Sequence, residues 1–351
     1  MELSWVQTAL LTLLILLVLF LPLCVRKIEE NLELFLFGCG VTAVTLSHTW
    51  SWPLMISAAE DPIKITLAVL VAGLLFRYFN KHLQKLVHTA VHSLGLSWTL
   101  FLTVLLLGLT SSLMTAIIAA LVLAEVAGLL PLAREERVKL AVLACYAIGM
   151  GAVLTAIGEP LGTVVISKLK DAPHYAGFFF LIQHVGWYVL GGILVIAMLA
   201  SRLKPGHPIP GNRIAHALEA EHSLRNISLR AGKVYLFVMA LVLLGEGLKP
   251  LALATISHLP AEGLYWINTL SAVLDNATLA AIETTPAISD RAISFLLMSL
   301  IISGGMMIPG NIPNIICASK LGIKSKEWVK NAWALGVILL VIYFILLHIF
   351  H

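Results

Sequence analysis

Eleven stretches of this chain are long and apolar, and that pattern constrains the fold more than any motif does. The first runs from Leu3 to Val25, and the others fall at about 33–50, 63–79, 97–112, 116–131, 138–168, 177–200, 233–248, 264–288, 293–319 and 331–350. Crossing the hydrocarbon of a bilayer takes about 20 apolar residues, so the chain has room for roughly ten spanning or half-spanning helices. Composition agrees, with 59% hydrophobic and 12% charged residues, where a soluble domain carries about 25% charged. The expectation is an all-α polytopic protein of the cell membrane, with no large extramembrane domain and no enzymatic activity. Leu3–Val25 is too long for the core of a cleavable signal and has no basic residues before it, so it reads as a retained first helix.

Between the spans, residues 80–94 place Leu83, Leu86, Val87, Ala90, Val91 and Leu94 at helical spacing, with Lys81, Lys85, His88 and His92 on other faces. This is expected to be an amphipathic helix lying in the interface. Residues 201–232 form the one long polar stretch, a linker between halves. The division expected is two N-terminal spans over 1–62, a first half over 63–200, the linker, and a second half over 233–351. The runs 97–131 and 264–288 are each interrupted near the middle, at Met114-Thr115 and at Asp275-Asn276, and read as hairpins that enter and leave on one side. With that topology Lys64, Lys168, Lys170, Lys249 and Arg291 fall on one side and the other 18 of the 23 Lys and Arg residues on the opposite side. Lys and Arg accumulate in cytoplasmic loops, which makes the linker cytoplasmic and leaves both termini outside.

The apolar run 138–168 is broken by Gly158-Glu159-Pro160-Leu161-Gly162. At an offset of 152 residues, Gly310-Asn311-Ile312-Pro313-Asn314 breaks the run 293–319, and Ser167-Lys168-Leu169 and Ser319-Lys320-Leu321 follow the two breaks. A hairpin precedes each: Leu109-Thr110-Ser111-Ser112-Leu113-Met114-Thr115-Ala116 and, 161 residues on, Leu270-Ser271-Ala272-Val273-Leu274-Asp275-Asn276-Ala277. The order span, hairpin, broken helix, span recurs, and the charge topology puts the two halves in opposite orientations. The expected fold is therefore two inverted-topology repeats, each with a re-entrant hairpin and a broken helix. One Gly/Pro break is ordinarily a kink. Four interruptions in symmetric order, each carrying Ser, Thr, Asn, Asp or Glu, point to a shared polar cavity, because unwound backbone is tolerated at membrane depth only where it lines one.

These residues resemble the ion transporter superfamily of sodium/proton antiporters, arsenite exporters and dicarboxylate/sodium symporters. Leu274-Asp275-Asn276-Ala277-Thr278 is similar to the Asp-Asn hairpin tip of the antiporter branch, and Gly310 to Asn314 to the unwound segment that follows it. The resemblance covers about 63 to 350 and lies close to an uncharacterised prokaryotic family regarded as cation transporters. Where antiporter relatives can carry a second Asp-Asn pair, this chain has Thr110-Ser111-Ser112 and Met114-Thr115. The resemblance implies that Ser111, Ser112, Thr115, Gly158 and Glu159 line one half of an ion site, and Asp275, Asn276, Thr278, Asn311 and Asn314 the other. Asp275, Asn276 and Glu159 would hold the transported sodium.

Acidic residues at bilayer depth cost at least about 2.5–3.5 kcal/mol and are functional candidates. Asp275 and Glu159 lead. Glu125 and Glu283 lie down the hairpin arms, where reaching an interface or pairing with a hydroxyl competes, and Glu246 beside Lys249 reads as interfacial. His184 is a weak proton-relay candidate, and most of the tryptophans form an aromatic belt. Cys24, Cys39, Cys145 and Cys317 lack the spacing of a zinc or redox site and read as small core residues. No GxSG, GxGD or HExxH motif supports an intramembrane hydrolase. The function expected is a secondary transporter exchanging sodium for protons by alternating access, in which cation and proton compete for a carboxylate whose neutral form a dry cavity favours. The alternative is a sodium-coupled symporter of a small carboxylate or other anion. No resident cofactor and no nucleic acid are expected; the partners are the lipid bilayer and a small ion, and a homodimer is compatible.

Overall fold

The computed structural model describes residues 4–25, 27–28, 31–206, 224–256, 260–272 and 276–350. Among the described residues the chain is helical, without strands: α1 (Trp5–Cys24), α2 (Leu32–Leu46), α3 (Trp52–Met114), α4 (Ala116–Leu129), α5 (Arg134–Ala152), α6 (Pro160–Lys168), α7 (Phe180–Ala200), α8 (Leu224–Ile256), α9 (Ala261–Ile267), α10 (Asn276–Glu283), α11 (Asp290–Gly304), α12 (Ile312–Leu321) and α13 (Ser325–Phe350). Short 3-10 turns occupy Asn268–Ala272 and Ile308–Gly310. Among the described residues five helices are long and apolar enough to cross a membrane, and that is compatible with a membrane protein.

The centre is built on α5 and α11. From Val138 to Ala152 nearly every α5 residue is buried, and from Ile293 to Gly304 every α11 residue is. The cause is small side chains: Ala141, Ala144, Ala147, Gly149 and Gly151 let neighbouring backbones approach closely, the usual basis of helix association where lipid replaces water. A Cβ on Gly151 would stand 1.7 Å from the Gly108 carbonyl oxygen, so α3 and α5 touch main chain to main chain there. Aromatic side chains tie this centre to α13. Tyr146 donates its hydroxyl to Ala332 O (3.0 Å), and Trp328 its indole N–H to Gly305 O (3.1 Å). Buried polar donors of this kind require a partner. Beside the centre, α8 packs on α2 and on the start of α3 around Val44, Leu54, Ala58 and Leu243.

Two boundaries differ from the sequence reading. Residues 80–94 do not form a separate helix but continue the stretch before them, and the one interruption within α3 is Gly95, at φ 80° and ψ 162°. A positive φ is available to glycine without strain. At 1.5 Å per residue the limb before Gly95 is about 64 Å long, about twice the hydrocarbon thickness of a bilayer. The second difference is α8, which begins at Leu224 inside the expected linker, because Ile227, Ala231 and Val234 carry a buried stripe backwards from the span. Residues 207–223 of that linker lie outside the described residues.

Candidate functional site

The helices α5 and α11 both stop short, and the chain resumes as α6 and α12 after an irregular stretch. The two interruptions are built alike. A Cβ on Gly158 would stand 1.9 Å from Ala152 O, and one on Gly310 would stand 2.5 Å from Gly304 O. Only a residue without a side chain lets the chain fold back that closely on the helix end it has just left. The next residues, Glu159 and Asn311, cap α6 and α12 in the same extended conformation, with φ −156° and −155°. Pro follows within two residues in each, where its fixed φ and missing N–H suit a helix start. Ser111 Oγ donates to Ile148 O of α5 (3.0 Å), and Ser271 Oγ to Leu300 O of α11 (3.3 Å). Lys168 of α6 donates to Ala281 O of α10, while Lys320 of α12 pairs with Glu125 of α4.

Around the first break, the turn between α3 and α4 falls at Thr115, with φ 74°, and Ala116 N donates to Gly158 O at 2.8 Å. Thr155 Oγ1 donates to Ser112 O at 2.6 Å. Ser111 and Ser112 spend their protons on main-chain carbonyls, Ser111 on Gly108 O (2.7 Å) as well as Ile148 O, and Ser112 on Leu109 O (3.0 Å). What these hydroxyls still present is oxygen lone pairs. Thr115 accepts from Ile118 N as the cap of α4. Glu159 is buried at the N-terminus of α6, where the positive end of a helix favours a carboxylate.

Around the second break the described side chains are neutral. Asn314, fully buried, donates its amide to Gly304 O (2.8 Å) and Met307 O (2.9 Å), bracing the broken segment. The buried amide of Asn276 lies against Gly304, 2.5 Å from where a Cβ there would be. Asn276 Oδ1, Asn314 Oδ1 and the hydroxyl of Ser303 are buried and accept no hydrogen bond. Three oxygens thus flank the carboxyl-terminal end of α11, the negative end of its dipole. Asp275 lies outside the described residues, as does the side chain of Thr278.

The two breaks also meet each other. The α6 helix packs on α10, and α12 on α4. The Asn311 amide comes within 3.0 Å of the position of a Cβ on Gly149, beside the first break. Pro160, Ile312 and Ile117 line one cavity of about 690 Å³ between α3 and α8, together with Ser57, Asp61, Lys64 and Glu246. The sequence reading singled out neither Ser303, which stands in an apolar helix, nor Asp61 and Lys64. The latter pair carried a signal, since at spacing i, i+3 they share a helix face at the head of an apolar stretch.

Two further acids of the apolar runs have partners, although Glu283 Oε1 is buried without one. Glu283 accepts from Asn268 (3.0 Å), which also donates to Ser299. Glu246 pairs with Lys249 at 3.2 Å. His184 lies at the start of α7 with His174, both 3.4 Å from the exposed Asp290. Three cysteines are buried and Cys24 is exposed, all as free thiols.

A family model matches residues 8–350, so the chain belongs to the family described as protein of unknown function, DUF1646. No curated protein matches it.

Proposed function

We propose that this member of the DUF1646 family is a multi-pass protein of the cell membrane that exchanges sodium for protons by alternating access, with its cation site at the two helix breaks. The observation that carries the reading is the oxygen cluster of Asn276, Ser303 and Asn314 at the end of α11. Buried side-chain oxygens without hydrogen bonds are costly, and a cation ligated by oxygen satisfies them. Asp275, next to Asn276 in the chain, supplies the exchangeable charge, and Glu159 on the facing break the second.

An inverted repeat is supported by the recurrence, at one offset of 152 residues, of the Gly158 and Gly310 folds, the Glu159 and Asn311 caps, and the Ile148 and Leu300 acceptors. Re-entrant hairpins are supported by length. The α4 limb spans about 21 Å at 1.5 Å per residue, short of a 30 Å crossing. The reading also draws on the resemblance of Leu274 to Thr278 and Gly310 to Asn314 to the Asp-Asn tip and broken helix of the ion transporter superfamily. Both termini lie outside in this reading, with the stretch between α7 and α8 cytoplasmic.

A second reading is a sodium-coupled symporter of a small carboxylate. Lys64 in the cavity wall and the two helix N-termini at Pro160 and Ile312 favour it, since both attract anions. Purified protein in liposomes decides between them. Sodium added outside should collapse an imposed pH gradient saturably. Absence of any cation-driven proton movement, together with sodium-dependent carboxylate uptake, overturns the first reading in favour of the second.

A further inference from the structure

Two cavities approach the second break along neighbouring turns of α8. The larger, of about 690 Å³, takes Val238, Leu241, Val242 and Glu246 from α8 and Ile312 from the start of α12. The smaller, of about 300 Å³, takes Lys233, Val234 and Phe237 from α8, and Ile315, Ala318 and Ser319 from further along α12. Each has a charged end. Asp61 and Lys64 line the first and make no hydrogen bond or ion pair with another described residue. The ion pair of Glu33 with Lys233 (2.8 Å) and Lys324 line the second.

What separates them is a small apolar cluster distinct from the main core. Ile65, Val234 and Val238 are its buried members, with Ile117 and Ile312 packed against it. Val234 faces the smaller cavity, and Ile65, Ile117, Val238 and Ile312 face the larger. Val234 and Val238 are one helical turn apart, about 6 Å. A layer that thin, apolar on all sides, excludes water and ions even where water reaches both of its flanks.

We infer that these cavities are the two vestibules of a single path for a hydrated monovalent cation, and that Ile65, Ile117, Val234, Val238 and Ile312 form the partition that keeps it shut between exchange events. The nature of the passenger rests on the exchange reading above; the partition itself rests on the cavities and the cluster. About 690 Å³ holds some twenty water molecules at about 30 Å³ each, room for an ion with its hydration shell.

The test uses the full chain with Cys24→Ser, the other cysteines being buried, and single cysteines at Ser57→Cys and Ser319→Cys. In sealed right-side-out and inverted vesicles, a membrane-impermeant thiol reagent should label the two positions from opposite sides. Val238→Asn, which makes the partition polar, should then raise passive sodium flux in liposomes at least tenfold. Should Val238→Asn fail to give a monodisperse protein, Ile117→Asn, at a half-buried member of the layer, makes the same test. Labelling of both cysteines from one side overturns the partition, and so does a folded polar variant no leakier than the unsubstituted protein. Opposite-side labelling with a leaky variant supports it. If the unsubstituted protein then exchanges no ion, the exchange reading fails and the partition stands.

Discussion

The two helix breaks share a backbone and differ in chemistry. Both fold a glycine back onto the helix end six residues earlier, and both cap the following helix from an extended residue. At the first break that residue is an acid, Glu159, held where a helix dipole is positive; at the second it is Asn311, and the neighbouring oxygens of Asn276, Ser303 and Asn314 gather where a dipole is negative. The lesson is a division of labour. Glycine and proline give both breaks their shape, and side chains of opposite electrostatic preference make the two breaks unequal.

The common backbone is the easiest part of this comparison to break. Gly158→Val should prevent stable folding, at a cost of about 4 kcal/mol or more, because its Cβ would overlap Ala152 O. Gly310→Val should be nearly as severe. Yield and thermal stability in detergent measure both, and a well-folded Gly158→Val protein would show that the first break can be rebuilt without the close approach.

The chemical difference is sharpened by isosteric amides. Asp275→Asn should abolish sodium-driven proton movement with folding nearly intact, and Glu159→Gln should retain exchange with altered sodium affinity or pH dependence. Full exchange by Asp275→Asn would end the single-site mechanism. Equal loss in both variants would remove the distinction between the breaks.

Smaller effects test the braces. Asn314→Ala strips two buried carbonyls of their donor and should cost about 2–4 kcal/mol, whereas Thr155→Val strips one, Ser112 O, and should cost about 1–2 kcal/mol. Denaturant or thermal unfolding ranks them, and the reverse order would mean that the first break depends more on its hydroxyl than the second on its amide. The smallest effect belongs to Arg134, which starts α5 and grips Leu321 O (2.8 Å), Gly322 O (2.6 Å) and Glu327 (2.9 Å) at the junction of α12 and α13. It is half exposed, so Arg134→Gln should lower stability by only about 1 kcal/mol.

Much of this was legible in the sequence because its causes are local. Pro160 and Pro313 each stand within three residues of a glycine, a pairing that marks a break more strongly than the lone Pro22 or Pro62 inside α1 and α3, although α8 runs on through Gly247 and Pro250. Both interruptions could be read directly, as could the turn at Met114-Thr115. Helix limits were less legible. Gly95 sits among residues of ordinary helical character, and nothing nearby marks it as the place where a long helix turns. Likewise Leu224 to Ala231 looked polar because its apolar residues are spaced by three and four among charges, and only the surface of α2 and α3 shows which face they bury.

For the candidate site the split is between identity and partnership. Glu159, Asn276 and Asn314 stand out as polar residues in apolar runs, a one-dimensional signal. Glu125 was equally visible, but its partner Lys320 is 195 residues away, and no local pattern announces such a pair. Ser303 is invisible for a different reason: a serine inside an apolar helix ordinarily bonds the carbonyl one turn back, and only the packing around the end of α11 leaves its hydroxyl buried without a partner.

The sequence by itself determined that this chain is helical and apolar enough for a bilayer, that its helices break at Gly158–Pro160 and Gly310–Pro313, and that polar groups sit at those breaks. These follow from residue-level energetics, namely hydrophobicity, ring closure in proline and the conformational freedom of glycine. The tertiary structure decided which groups meet: Asn276 with Asn314 at Gly304, Glu125 with Lys320, Asp61 and Lys64 with Pro160 and Ile312. Those neighbours are far apart in the chain, and what brings them together is packing between helices, which depends on atoms from several of them at once.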